Sequence, residues 1–450
     1  MSLFHIGRKH DQSEVDPSLR IIRRNMRGDA MSGIVLLIAT SIALIVANTP
    51  LYHLYEKFLH FPISFSFGDF HIHHEVHAWI NDGLMVVFFL LVTLEIKRES
   101  LIGVLSTPKK ALLPVIAALG GMVVPVLIFV LFNKNPEVDQ AWAIPMATDI
   151  AFSLGILSLL GSRVPLGLKV FLTAFAIADD LGAVLVIVFF YSSTINFTYL
   201  GLAFAALFLL ILANKLNVRV VFPYVLVGFV VWYFMLESGV HSTIAGVLVG
   251  LTIPIKSHIS TPDFFRKMRT SFRLFLVEEN KTEKKHENIM TKNQLSCLDN
   301  ISNDARLVLG PLQNLEHGLH NFSAFVVLPL FAFANTGVRL VGEAELEWSF
   351  FPFLIMMALV VGKTLGIFSF SMLAKKLKIV EFPKELSTKA LLGMGILGGI
   401  GFTMSLFIAM LSFPKGPYLD LAKIGILGGS FIAGVTGYFY LKYVVFKNEK

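Results

Sequence analysis

The feature that most constrains this chain is a succession of apolar runs, each close to the length needed to cross a lipid bilayer. At a rise of 1.5 Å per residue a membrane helix needs about 20 predominantly apolar residues, and twelve such runs start near residues 30, 76, 109, 140, 165, 197, 219, 240, 316, 347, 387 and 418. With 55% of its 450 residues hydrophobic and 15% charged, and a mean hydropathy of +0.70, the chain is excluded from the soluble globular class. An all-α polytopic membrane protein with twelve transmembrane helices is expected. The formal net charge of +7 would also suit a nucleic-acid binder. Basic loops on one membrane face give the same balance, so nucleic acid is not expected as a partner.

An even number of spans puts both termini on one side, and the loops on that side carry most of the 38 Lys and Arg residues. Both termini are therefore expected in the cytoplasm. The chain divides into a basic cytoplasmic tail (1–29), eight spans (30–255), a hydrophilic cytoplasmic insertion (256–315), four more spans (316–445) and a short cytoplasmic tail (446–450). In the first tail, Leu19, Ile22 and Met26 share a helical face among Arg20, Arg23, Arg24 and Arg27. That pattern suits an interfacial helix on anionic headgroups, or a disordered positive-inside tail. The run Met31 to Asn48 is long for a signal-peptide core and reads as a retained first helix.

Between spans one and two, Ile63, Phe65 and Phe67 alternate with polar residues, Gly68-Asp69 offers a turn, and Phe70 and Ile72 alternate again. A short periplasmic β-hairpin over about 61–73 is expected. A lone hairpin is marginal in water, so pairing with a second copy in a homodimer is expected too. In the insertion, Thr261-Pro262-Asp263 marks a helix start and Phe264, Phe265, Met268, Phe272 and Leu276 could form an apolar stripe. Gly246 with Gly250, and Gly425 with Gly429, have the spacing of helix contact faces. The single cysteine, Cys297, leaves no intramolecular disulfide or cysteine-rich metal site.

Four apolar runs carry anomalies at similar depth. FAIADDLGA holds Asp179 and Asp180, AIPMATDIAF holds Pro145, Thr148 and Asp149, VVGKTLGI holds Lys363, and another run holds Gly393, Gly395, Gly398, Gly399 and Gly401 before Thr403. A charge at the centre of a membrane helix costs roughly 2.5 to 3.5 kcal/mol on insertion scales, so such residues mark function. Adjacent helical residues diverge by about 100°, so at least one aspartate must border a wet cavity. Like charges this close resist simultaneous ionisation. A hard monovalent cation such as sodium or lithium prefers oxygen ligands and would compete with protons for the pair. Lys363 needs an anionic partner, and a carboxylate of the pair is the obvious one; a pair that only stabilises packing is the alternative. Pro145 and the glycine run can unwind their spans, and Asp149 could compensate the positive ends of the half-helices. Spans three to five and ten to twelve form two units around these breaks. Counting spans places the start of both on the cytoplasmic side, so parity gives no sign of inversion.

The segments ATDIAF, AIADDLGA, GKTLGI, SGVHSTIAG, LPLFAFANTGV and GIGFTMS, in this order, resemble the NhaA family of sodium/proton antiporters. The resemblance covers nearly all of the hydrophobic chain and leaves out the first tail and the insertion. It implies inverted three-helix repeats, an arrangement for which this family is a standard example, with broken, crossed helices four and eleven and a dimer joined partly by the hairpin. It implies that Asp179 and Asp180 bind Na+, Li+ or protons, that Asp149 balances the helix ends, that Lys363 pairs with Asp179, and that Thr148 is a polar neighbour. Thr364 stands where the family often has proline. Glu95, Glu99, Glu316, His317 and His320, gathered at the cytoplasmic ends of spans two and nine, resemble the family's pH-sensing residues, as does His241. Histidine changes charge near neutral pH, so such a group could bias a conformational equilibrium; snorkelling end charges are the plain alternative.

The expected function is secondary active transport, not enzymatic catalysis and without a cofactor. By alternating access, cytoplasmic Na+ or Li+ would exchange for external protons across a bacterial inner membrane, electrogenically and under pH control. The alternative is a proton-coupled transporter of another small cation. An intramembrane aspartyl protease needs two aspartates on different helices, and here they are consecutive. A channel would never move its ion uphill.

Overall fold

The computed structural model describes residues 17–67, 70–191, 195–281, 290–339, 350–383 and 385–447. A long first helix, α1 (Pro17–Ala47), precedes a short amphipathic α2 (Tyr52–Leu59). Two strands follow, β1 (Pro62–Phe67) and β2 (Phe70–Glu75), paired antiparallel with Ile63 opposite His74, Phe65 opposite Ile72 and Phe67 opposite Phe70. The Gly68-Asp69 turn lies outside the described residues. At the open end of the strands His60 Nδ1 lies 2.6 Å from Glu75 Oε2, and that hydrogen bond holds the Glu75 carboxyl below its usual range.

The helices that follow are α3 (Val76–Leu101), α4 (Pro108–Phe132), the tight 3₁₀ coil α5 (Pro136–Met146), α6 (Ile150–Leu159), α7 (Leu166–Phe190) and α8 (Phe197–Lys215). Next come α9 (Val221–Glu237), α10 (Thr243–Thr252), α11 (Thr261–Lys281) and α12 (Lys292–Val308). The chain ends with α13 (Pro311–Asn335), α14 (Phe350–Lys376), α15 (Thr388–Gly398), α16 (Phe402–Ser412) and α17 (Pro417–Val445). Among the described residues eight helices are long and apolar enough to cross a membrane. Two bent pairs join them: α5 with α6 at 47° and α15 with α16 at 42°. The apolar α9 and α10 are shorter.

Close backbone contact explains several small residues. A Cβ on Gly120 of α4 would stand 2.3 Å from the Gly366 carbonyl oxygen of α14, and one on Gly362 would stand 2.9 Å from Pro125 Cα. As the sequence rises from 120 to 125 its neighbour falls from 366 to 362, so α4 and α14 run antiparallel. This corrects the parity argument: an odd offset of seven runs reverses direction, as the opposed α4 and α14 do. Gly246 abuts the Val86 carbonyl of α3, and Gly425 abuts Pro352 of α14, so both glycine pairs serve as helix contact faces.

The buried apolar residues form two clusters. One surrounds both bent pairs and includes Phe175, Leu359 and Leu397; the other joins α3 to α8, α9 and α10 through Leu94, Leu207, Trp232 and Val249. Helix α3 contributes to both, with Met85 and Phe89 in the first and Leu94 in the second.

Candidate functional site: a carboxylate pair beside two broken helices

Pro145 near the end of α5 has no N–H to continue the coil, and the chain runs on through extended Ala147 and Asp149 before α6 begins. The other break falls where a side chain would not fit. A Cβ on Gly399 would stand 2.7 Å from the Leu359 carbonyl, and one on Gly401 would stand 2.2 Å from Ser405 Oγ. Gly398 is similarly confined, 2.6 Å from Ile367 Cδ1. The breaks meet: Asp149 N–H donates to the Ile400 carbonyl at 2.7 Å, Ser153 Oγ to Leu397 at 3.0 Å, and Ser405 Oγ to Ile144 at 2.8 Å.

Asp149 serves two helix starts at once. Its Oδ1 accepts from Phe152 N at 2.9 Å in the first turn of α6. Its Oδ2 accepts from Thr403 N at 3.0 Å in the first turn of α16, and from the Thr403 hydroxyl. One buried carboxylate thus faces the partial positive ends of two half-helices, a satisfied arrangement for an otherwise costly charge.

Asp179 and Asp180 lie midway along α7, both essentially without solvent exposure. Lys363 Nζ stands 2.6 Å from Asp179 Oδ2. It also donates to Thr148 Oγ1 at 2.6 Å, and that hydroxyl donates to the Gly398 carbonyl at 2.9 Å. The ammonium is therefore tied both to a carboxylate and, through Thr148, to the carbonyl end of α15, with the Phe175 ring 5.8 Å away. A widened π-type turn, Ala358–Gly362, comes directly before Lys363. Thr364, after it, returns its hydroxyl to the Val360 carbonyl at 2.6 Å. Both oxygens of Asp180 and Oδ1 of Asp179 are buried without a hydrogen-bond partner among the described residues. Three carboxyl oxygens are thus free to take protons or a hard, oxygen-seeking cation.

The candidate pH residues divide. Arg98 Nε lies 2.9 Å from Glu316 Oε1 and its NH2 group 2.9 Å from Glu99 Oε1. Glu99 Oε2 accepts from Val104 N at 2.9 Å. His320 Nδ1 stands 3.6 Å from Glu95 Oε1, and His317 is exposed. Glu95 and His320 line a cavity of about 90 Å³ whose walls also include Asp149 and Thr403. His241 stands apart from this group, in contact with the Tyr191 carbonyl at the start of α10.

Sequence reasoning left Thr403, Ser153, Ser405 and Arg98 off the site. Thr403 carried a signal, since it directly follows the glycine break where a new helix must be capped. For the two serines the only sign was a polar residue in a broken apolar run.

A family model described as Na+/H+ antiporter 1 matches residues 23–441. The "Na(+)/H(+) antiporter NhaA 2" of Helicobacter hepaticus is 43% identical over 418 residues, 92% of this chain and 94% of that one. The NhaA antiporter of Pelagibacter ubique is 44% identical over 420 residues, 92% and 95% of the two chains. That of Glaesserella parasuis is 42% identical over 434 residues, 95% and 97%.

Proposed function

Given that this chain belongs to the Na+/H+ antiporter 1 family of membrane transporters, we propose that Asp179 and Asp180 are the seat at which Na+ and protons displace one another. The observation that carries this reading is the asymmetry of the pair. Asp179 is held by Lys363, while Asp180 is buried with no hydrogen-bond donor to either oxygen among the described residues. A cation entering beside Asp180 gains oxygen ligands and offsets the Lys363 charge balance; protons on the pair remove the reason for it to stay. Lithium, another small hard cation, fits the same oxygens.

The cycle proceeds by alternating access. The cavity from Glu95 and His320 to Asp149 supplies the cytoplasmic approach, and the two apolar clusters that share α3 move against one another to open the other side. If both carboxylates return protonated for each Na+, exchange moves net charge and responds to voltage. Counting α9 and α10 with the eight long helices and the two bent pairs gives twelve spans, with both termini in the cytoplasm of a bacterial cell and β1 and β2 outside. Pairing of those strands with a second copy supports a homodimer. Glu95, Glu99, Glu316, His317, His320 and His241 set the pH response.

Cation-driven loss of an imposed pH gradient in proteoliposomes tests the reading. Na+ and Li+ are expected to dissipate the gradient while K+ and organic amines do not. Dissipation by amines or K+ in place of Na+ supports the other small-cation transporter instead.

A further inference from the structure

Outside the ion pathway, α11 carries a surface that transport does not use. From Phe264 to Val277 it holds four cations, Arg266, Lys267, Arg269 and Arg273, and no acidic residue. One face is turned inward: Phe264, Met268 and Phe275 are partly buried on the side of α12, and Lys267 pairs there with Asp304 at 3.2 Å. On the adjoining face Phe265 and Phe272 are each 56% exposed and Leu276 is 43% exposed. Their spacing of seven and then four residues stacks them in one stripe. Arg266, Arg269 and Arg273, all exposed, follow at three- and four-residue spacing and run as a parallel row along its edge. An apolar stripe bordered by arginines is the surface of a helix that lies in a headgroup layer.

The base of the α11–α12 hairpin is pinned to the ends of the apolar helices beside it. His258 N donates to the Leu307 carbonyl at 3.1 Å and Leu312 N to Pro254 at 3.2 Å. His258 Nε2 also contacts the Arg219 carbonyl at 2.9 Å, just before α9. Both ends of the connection are thereby held at the ends of α9, α10 and α13.

We propose that α11 docks on the anionic lipid surface of the membrane that holds the protein, its stripe entering the acyl boundary and its arginine row meeting lipid phosphates. Charge complementarity favours lipid over a second protein: among the described residues only Arg266 of the row has an acidic partner, Asp263 of the same helix at 2.7 Å, which leaves Arg269 and Arg273 to meet anionic headgroups. The insertion then reports the charge of its own bilayer.

The test uses full-length protein in nanodiscs, with Cys297 replaced by Ser and a nitroxide placed at Phe272→Cys or, as a second site, Leu276→Cys; retained Na+/H+ exchange verifies the fold. In discs containing phosphatidylglycerol the nitroxide is expected to become several-fold more accessible to oxygen and less so to a water-soluble nickel chelate, compared with phosphatidylcholine discs. Each Arg→Gln change in the row is expected to weaken docking roughly fivefold. A nitroxide that stays in water in both lipids overturns the proposal. So does burial that is unchanged by lipid charge and varies with protein concentration, which marks a protein contact instead.

Discussion

Lys363 and Asp179 form a contact of 2.6 Å between two side chains that have no solvent exposure at all. Neither charge is affordable alone at that depth, and Thr148 and Phe175 complete the surroundings of the ammonium. Removing one partner of such a pair leaves the other buried and uncompensated, at a cost of about 3–5 kcal/mol. The pair is therefore both a structural strut and the boundary of the proposed ion seat.

Lys363→Ala is expected to lower stability by about 3–5 kcal/mol and to reduce exchange sharply. Thermal unfolding of the detergent-solubilised protein, beside exchange in vesicles, checks this. Full stability in the variant contradicts the strut.

Asp179→Asn and Asp180→Asn should both abolish Na+-driven exchange yet differ in stability. The first breaks the Lys363 contact and carries the cost above. The second removes a carboxylate that no donor among the described residues satisfies, so its melting temperature should hold or rise. Equal losses of stability in the two variants would contradict the asymmetry.

Asp149→Ala withdraws the acceptor from two helix starts and should destabilise by about 0.5–2 kcal/mol for each lost cap. Thr403→Val removes only the hydroxyl bond and leaves its backbone bond in place, so a smaller loss of about 0.5–1.5 kcal/mol is expected. Chemical or thermal unfolding of the two variants should preserve this order.

The 3.6 Å approach of His320 to Glu95 at the cavity mouth is attractive only while the imidazole is charged. A charge change at such an imidazole is a route by which the pair could bias a conformational equilibrium. His320→Gln is expected to flatten the pH–activity profile, and an unchanged profile would remove this pair from regulation.

Much of the architecture was legible because a bilayer imposes length and apolarity on every span, and because charges at that depth stand out. Asp179, Asp180, Lys363 and Asp149 were marked by cost alone. What the sequence hid depends on partners distant in the chain. A compensating role for Asp149 was expected, but the donors that carry it, Phe152 N of α6 and Thr403 N of α16, are fixed only by tertiary packing. The π-type turn before Lys363 has no residue signature beyond Gly362. The helix expected to carry span nine starts at Pro311, ahead of its apolar pattern, since proline suits a first turn. The opposed directions of α4 and α14 are fixed by the glycine contacts between them.

The most direct test of the account is calorimetric Na+ binding to the purified protein across a pH series. If one seat accepts either ion, apparent Na+ affinity falls about tenfold per pH unit for each competing proton once the carboxylates begin to take protons, and bound Na+ releases protons to the buffer. Affinity that does not change with pH, with no proton release, would contradict it.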